Sequence, residues 1–289
     1  MKEWWYANWR TLLEPIGVIA AALIGAAGGM IAGQKKREKK LKHKRYNINY
    51  RLAQAQEEQQ NHPKALELYL QSAEDYKDDP DNPDRAAAFN RAGFICYRLM
   101  HYDKAIDCYT KAQAIYNAAP KANRVKLAEI YNNMAFVYDR QGDYDKALRL
   151  HNKVLAIYDK KKRLGMNSRS TATSTATTYN NIGSVYWEQG EYDEALAYYF
   201  KALVIREKEL GKDHADTASC YNNIAVVYRK QGRFEKAFLF YSQALRIALD
   251  KLGSEHPNTK LYLKNLHKAY ERSGLPEPFD TWLARQLAT

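Results

Sequence analysis

The chain has 289 residues and a formal net charge of +12, from 45 Lys/Arg against 33 Asp/Glu. Residues 1–45 hold ten of those bases and three of the acids, net +7, which leaves 35 against 30, or +5, over the remainder; a body so nearly balanced argues against a nucleic-acid partner. Cys96, Cys108 and Cys220 have no metal-ligand spacing and three cannot all pair, so they read as small core residues in a reducing compartment.

From the N-terminus, residues 16–33 form a run of eighteen without a charge, enough to cross a hydrocarbon layer roughly 30 Å thick as a helix. Trp4, Trp5, Tyr6 and Trp9 precede it, where an aromatic belt belongs. Lys35, Lys36, Arg37, Lys39 and Lys40 open a basic flank that holds eight Lys/Arg by residue 45. The positive-inside rule then keeps the flank in the cytoplasm and the N-terminus outside. A cleaved signal peptide would carry its charge before the apolar run, where Lys2, Arg10, Glu3 and Glu14 sum to zero. Gly17, Ala21, Gly25, Gly29 and Gly33 recur every fourth residue, a small-residue face that suits a homo-oligomeric anchor and also arises from Gly/Ala-rich composition alone. The basic run either sets topology only or also meets anionic lipid head groups.

Residues 46–60 continue as a polar helical pattern, possible to join to the membrane helix, and Pro63 starts a partner helix to about residue 77, a degenerate first hairpin. Residues 78–84, DDPDNPD, read as a loop. Then one phrase recurs: YNNMAFVYDRQGDYDKA at 131–147, YNNIGSVYWEQGEYDEA at 179–195 and YNNIAVVYRKQGRFEKA at 221–237, with a fainter copy at 89–105 and a half copy ending at Gly274. The closing alanines Ala65, Ala105, Ala147, Ala195 and Ala237 are 40, 42, 48 and 42 residues apart, a period that signals stacked helical hairpins.

Within a copy, Tyr131, Met134, Ala135 and Tyr138 share one helical face, Gly142 stops the helix, and Ala147, His151, Leu155 and Tyr158 face inward from the next. Ala135, Gly183 and Ala225 with Ala147, Ala195 and Ala237 are expected where two helices approach closest, and Tyr109, Tyr199 and Tyr241 with Tyr138, Tyr186, Tyr228 and Tyr270 between hairpins. The longest interval contains KKKRLGMNSRSTATSTATT, read as a longer mobile loop over 160–174 that leads into a Thr/Ala-rich helix start. After Gly274, Phe279, Trp282, Leu283 and Leu287 form an amphipathic stripe that would cap the array.

These residues resemble the tetratricopeptide repeat, in register over residues 84–274. The 42-residue period, the YNN opening and the loops LGKDHADTA and LGSEHPNT are similar to the kinesin-light-chain type of repeat. The long heptad region of kinesin light chains is absent and an apolar segment stands in its place, so cargo transport is not implied. The resemblance implies an all-α, right-handed solenoid of helical hairpins, here with one N-terminal transmembrane helix. Its parts would be an anchor over 1–34, a basic juxtamembrane segment over 35–45, a solenoid of about five helix pairs plus a half repeat over 46–274, and a capping helix over 275–289.

No phosphate-binding glycine loop, zinc spacing or nucleophile motif is present, so neither enzymatic activity nor a cofactor is expected. His214 and His256 recur 42 residues apart, which equivalent inter-repeat loops explain better than a metal pair. The informative polar residues are asparagines, poor formers of helix interiors: Asn90, Asn132, Asn180 and Asn222 in one column, Asn133, Asn181, Asn223 and Asn265 in the next. The resemblance places this helix on the concave groove and implies that asparagines there hold the backbone of an extended peptide. An amide offers the donor and acceptor such a backbone needs, and equally those of an internal ladder between hairpins. One turn on, Arg98, Arg140, Lys230 and Arg272, interrupted by Glu188 and flanked by Tyr97, Trp187 and Arg229, form a rim that favours an acidic partner.

The resulting expectation is a single-pass scaffold of a bacterial inner membrane or mitochondrial outer membrane, its cytoplasmic groove recruiting a protein or peptide and its N-terminus contacting lipid. The alternative makes the glycine-rich helix an effector that oligomerises in the bilayer when the repeats sense a partner.

Overall fold

The computed structural model describes residues 31–118, 123–165 and 168–288, and among these every regular element is a helix. None of these helices is long and apolar enough to cross a membrane. The apolar segment 16–33, except its last three residues, lies outside the described residues, as do Trp4, Trp5, Trp9, Gly25 and Gly29.

The chain divides into two compact units, 1–78 and 79–289. In the first, α1 (Ile31–Glu58) carries Gly33 and the basic flank, including Lys35, Lys36, Arg37, Lys39 and Lys40. The basic segment and the first repeat helix are thus one unbroken helix. No proline interrupts it, and Gly33, its single glycine, lies in the first turn. α2 (His62–Glu74) returns antiparallel to α1, with Asn49 Nδ2 donating to Asp75 Oδ2 at 3.0 Å and Tyr69 Oη to Glu57 Oε2 at 2.9 Å. Arg45 pairs with the same buried Asp75 carboxylate, and Tyr46, Tyr69 and Tyr76 fill the interface.

The second unit stacks four hairpins: α3 (Pro83–Arg98) with α4 (Tyr102–Ala118), α5 (Arg124–Arg140) with α6 (Tyr144–Arg163), α7 (Arg169–Gln189) with α8 (Tyr192–Leu210), and α9 (Ala215–Lys230) with α10 (Phe234–Leu252). The half repeat α11 (Pro257–Ser273) and the cap α12 (Phe279–Ala288) follow. Gly142, Gly190, Gly232 and Gly274 end the first helices at φ between +70° and +83°, where a side chain is strained. In the two degenerate copies Gln60 and Met100 occupy that place at φ +60°.

The closing alanines Ala105, Ala147, Ala195 and Ala237 are fully buried, as expected of the closest approach within a hairpin. A Cβ on Gly93 would sit 2.7 Å from the Tyr109 ring, and one on Gly183 2.8 Å from the Tyr199 ring, so glycine makes room for the tyrosine. Trp282 closes the end, 4.7 Å from Phe238 and 5.0 Å from Tyr270 between ring centroids. Cys96, Cys108 and Cys220 are free and buried.

The expected loop over 160–174 is mostly helix. α6 continues to Arg163, and α7 starts at Arg169 behind Ser168, whose hydroxyl accepts the Thr171 N–H at 3.2 Å. Thr175, Thr177 and Thr178 donate their hydroxyls to the carbonyls four residues back, at 2.9, 3.1 and 2.9 Å. That back-bonding satisfies the hydroxyls, and burial of Thr171, Ala176 and Thr178 holds the threonine-rich stretch in the helix.

Candidate peptide groove

The asparagines lie near the middle of α5, α7, α9 and α11, with Asn90 in α3, and in three places they bond one another between hairpins. Asn133 Nδ2 donates to Asn90 Oδ1 at 2.9 Å, Asn223 Nδ2 to Asn180 Oδ1 at 2.9 Å, and Asn265 Nδ2 to Asn222 Oδ1 at 3.0 Å. Each rung joins residues 43 apart, the second asparagine of one copy to the first of the copy before. Asn90 and Asn222 are buried, and Asn90 also donates to Glu129 Oε1 at 2.7 Å. The internal ladder therefore accounts for most of both columns.

The ladder breaks between α5 and α7. Asn132 Oδ1 meets His151 Nδ1 of its own hairpin at 3.1 Å, and the half-buried Asn181 side chain has no hydrogen-bond partner among the described residues. His151 stands where the other hairpins have Tyr109, Tyr199 and Tyr241, which is why the amide turns inward here. Burial holds its imidazole well below the usual value, at about 4, so it is neutral at pH 7 and bonds the amide without charge. Phe136, one turn beyond Asn132, is 41% exposed beside the His151 ring. Its i+4 spacing from Asn132 was the available sequence signal.

The expected rim residues are largely engaged. Arg140 Nε donates to Tyr97 Oη at 3.4 Å, and Lys230 Nζ lies over the Trp187 ring, 5.9 Å from its centroid, so each cation engages an aromatic residue of the preceding copy. Arg229 points inward instead, its Nε donating to the buried Tyr241 Oη at 3.3 Å. Between α5 and α7 the matching positions are Asp139 and Glu188. Burial first, and then the Glu188 carboxylate, raise the Asp139 carboxyl. Asp139 Oδ1 and Trp187 Nε1 are both enclosed without a hydrogen-bond partner among the described residues. His214 and His256 cap helices: their Nδ1 atoms accept the N–H groups of Asp216 and Asn258, each at 3.1 Å.

Sequence reasoning missed Arg206. It is buried and stitches three helices, donating to Asp216 O at 2.7 Å, Ser219 Oγ at 2.9 Å and, more weakly, Thr177 Oγ1 at 3.4 Å. A lone arginine in a helix rich in charge carries no signal of such a role.

The sequence pattern of the tetratricopeptide repeat matches residues 45–118, 84–160 and 174–250, more than half of the chain. The chain belongs to the tetratricopeptide repeat family. Among curated proteins none matches this tetratricopeptide chain by sequence. Solved structures share its fold at low identity. Aspartyl phosphate phosphatase F from Bacillus subtilis is 17% identical, with 99% of this chain and 70% of that one covered at a TM-score of 0.67. A Podosopora anserina protein described as a kinesin light chain with nearly identical TPR-like repeats is 19% identical, covering 72% and 95% at 0.56. A Rap protein complexed with Competence and Sporulation Factor is 18% identical, covering 84% and 74% at 0.55. At these identities the likeness establishes the helical-repeat fold and carries no activity.

Proposed function

We propose that this tetratricopeptide array is a non-enzymatic scaffold that holds a protein or an extended peptide along the asparagine-bearing face of α3, α5, α7 and α9. One observation carries the reading: Asn181 keeps a donor and an acceptor unused on a face where six of the other asparagines are joined in the ladder and Asn132 is held by His151. A half-buried amide without a partner costs about 1–3 kcal/mol unless water or a ligand satisfies it, and a peptide bond supplies both complements. Phe136 adds apolar surface beside it. The Rap protein found complexed with Competence and Sporulation Factor is one example of a partner held by this fold.

The test compares affinity capture by the intact chain with capture by Asn181→Ala and Phe136→Ala. Because Asn181 belongs to no rung, its substitution is expected to abolish capture of the specific partner while the melting temperature stays within about 2 °C. Unchanged capture by both variants removes the groove reading.

The same proposal places the scaffold on a membrane through residues 16–33, supported by the uncharged run and the basic flank that follows it. Deletion of 16–33 should release the chain from the membrane fraction, and a reporter fused after Thr289 should be active in the cytosol. A membrane-bound chain after the deletion rules this anchor out.

A further inference from the structure

Three kinds of link recur where one hairpin of the second unit meets the next. From α5–α6 back to α3–α4 they are Asn133 to Asn90, Gln141 Nε2 to Asp103 Oδ1 at 3.3 Å, and Arg140 to Tyr97. From α9–α10 back to α7–α8 they are Asn223 to Asn180, Gln231 Nε2 to Asp193 Oδ1 at 3.0 Å, and Lys230 over Trp187, with Arg206 added. The equivalent residues at the junction of α5–α6 with α7–α8 are Asn181 and Asn132, Gln189 and Asp145, and Glu188 and Asp139. None of these pairs bonds: Asn132 is taken by His151, Gln189 and Asp145 line an open polar cleft, and the third pair sets acid against acid.

Among the described residues, no hydrogen bond or ion pair crosses from 123–165 to 168–288. What joins the two is the packing of α6 on α7, with no polar side-chain link between them. Apolar contact is non-directional and tolerates sliding, whereas side-chain hydrogen bonds fix register and angle. In a stacked array each junction contributes its own interface energy, so deformation concentrates where that interface is least constrained.

We propose that the junction between α6 and α7 is a hinge, about which the block α3–α6 and the block α7–α12 change their relative angle while each stays rigid. This stands whether or not the groove binds a peptide. Glu188 is the decisive residue, because the same position elsewhere carries Arg98, Arg140, Lys230 and Arg272, and a cation there would pair with Asp139.

The hinge is tested in the full chain by pulsed spin-label distance measurements on three cysteine pairs at one repeat position: Ala114→Cys with Ala156→Cys, Ala156→Cys with Val204→Cys, and Val204→Cys with Arg246→Cys. All four positions are exposed, whereas the native cysteines are buried. The Ala156/Val204 pair should give a broader distance distribution than the other two, and Glu188→Lys should narrow it to their width. Equal widths for all three pairs in the otherwise unaltered chain overturn the hinge, whatever the folding of the Glu188→Lys protein. A breadth that a folded Glu188→Lys protein retains overturns the assignment to the missing links.

Discussion

Gly183 illustrates how a single atom is specified by the repeat. Its missing Cβ leaves room for the Tyr199 ring, and an added one would stand 2.8 Å from that ring and 3.2 Å from the Ala195 carbonyl. Gly183→Ala is therefore expected to cost about 1–3 kcal/mol in urea denaturation, the range for an overpacked contact. Ala225 occupies the same place opposite Tyr241, so the hairpin can yield and the protein should still fold. His151 gives a pH signature. Its folded value of about 4 lies below the ordinary 6.5 because burial disfavours the charged ring. The unfolded chain therefore takes up this proton first as pH falls. Stability from this group should be flat above about pH 6.5, decline by roughly 3 kcal/mol between 6.5 and 4, and level off below. In His151→Tyr, which restores the residue of the other hairpins, that part of the slope should vanish from pH-dependent denaturation curves.

At the scale of the element, the helix starts matter most where the sequence is least helical. α7 opens with a serine- and threonine-rich turn that Ser168 caps and whose threonine hydroxyls are satisfied by bonding backward. Ser168→Ala should cost about 1 kcal/mol, measured by denaturation and by faster amide exchange confined to the first turn of α7. Here the longer interval misled, since the extra residues were read as a loop over 160–174, whereas α6 runs on to Arg163 and α7 begins at Arg169, with Thr171 and Thr178 buried. Where spacing carried the reading, it succeeded: the glycine stops and the closing alanines lie where the repeat register put them. The candidate site was legible only in part. The asparagine columns could be seen, but rungs and free amides could not be told apart, because the partner of each lies 43 residues away.

For the whole molecule, the uneven junctions imply uneven cooperativity within the second unit. Arg206 ties α7, α8 and α9 together. Arg206→Met removes the charged hydrogen bonds to the Asp216 carbonyl, Ser219 Oγ and Thr177 Oγ1, leaves the Asp216 carbonyl with the Ser219 hydroxyl alone among these side-chain donors, and is expected to cost about 2–3 kcal/mol. Native-state hydrogen exchange should accelerate through α7–α10 and remain unchanged in α3–α6, since no polar link carries the loss across the junction of α6 with α7. Uniform acceleration would show that apolar packing alone couples the blocks.

The sequence by itself determined the repeat phase, the all-helical hairpins and the positions where two backbones must approach. These follow from local spacing, from glycine at positive φ and from small residues at fixed offsets, all of which can be read within one copy. Only the tertiary structure decided what each polar side chain does. An amide serves a peptide and another amide equally well, and a cation serves a partner and a neighbouring ring equally well. The choice rests on distances between side chains a full repeat apart, which stacking sets and a single copy does not contain. That is why YNN reads the same at 131, 179 and 221, while Asn133 and Asn223 complete a rung and Asn181 is left open.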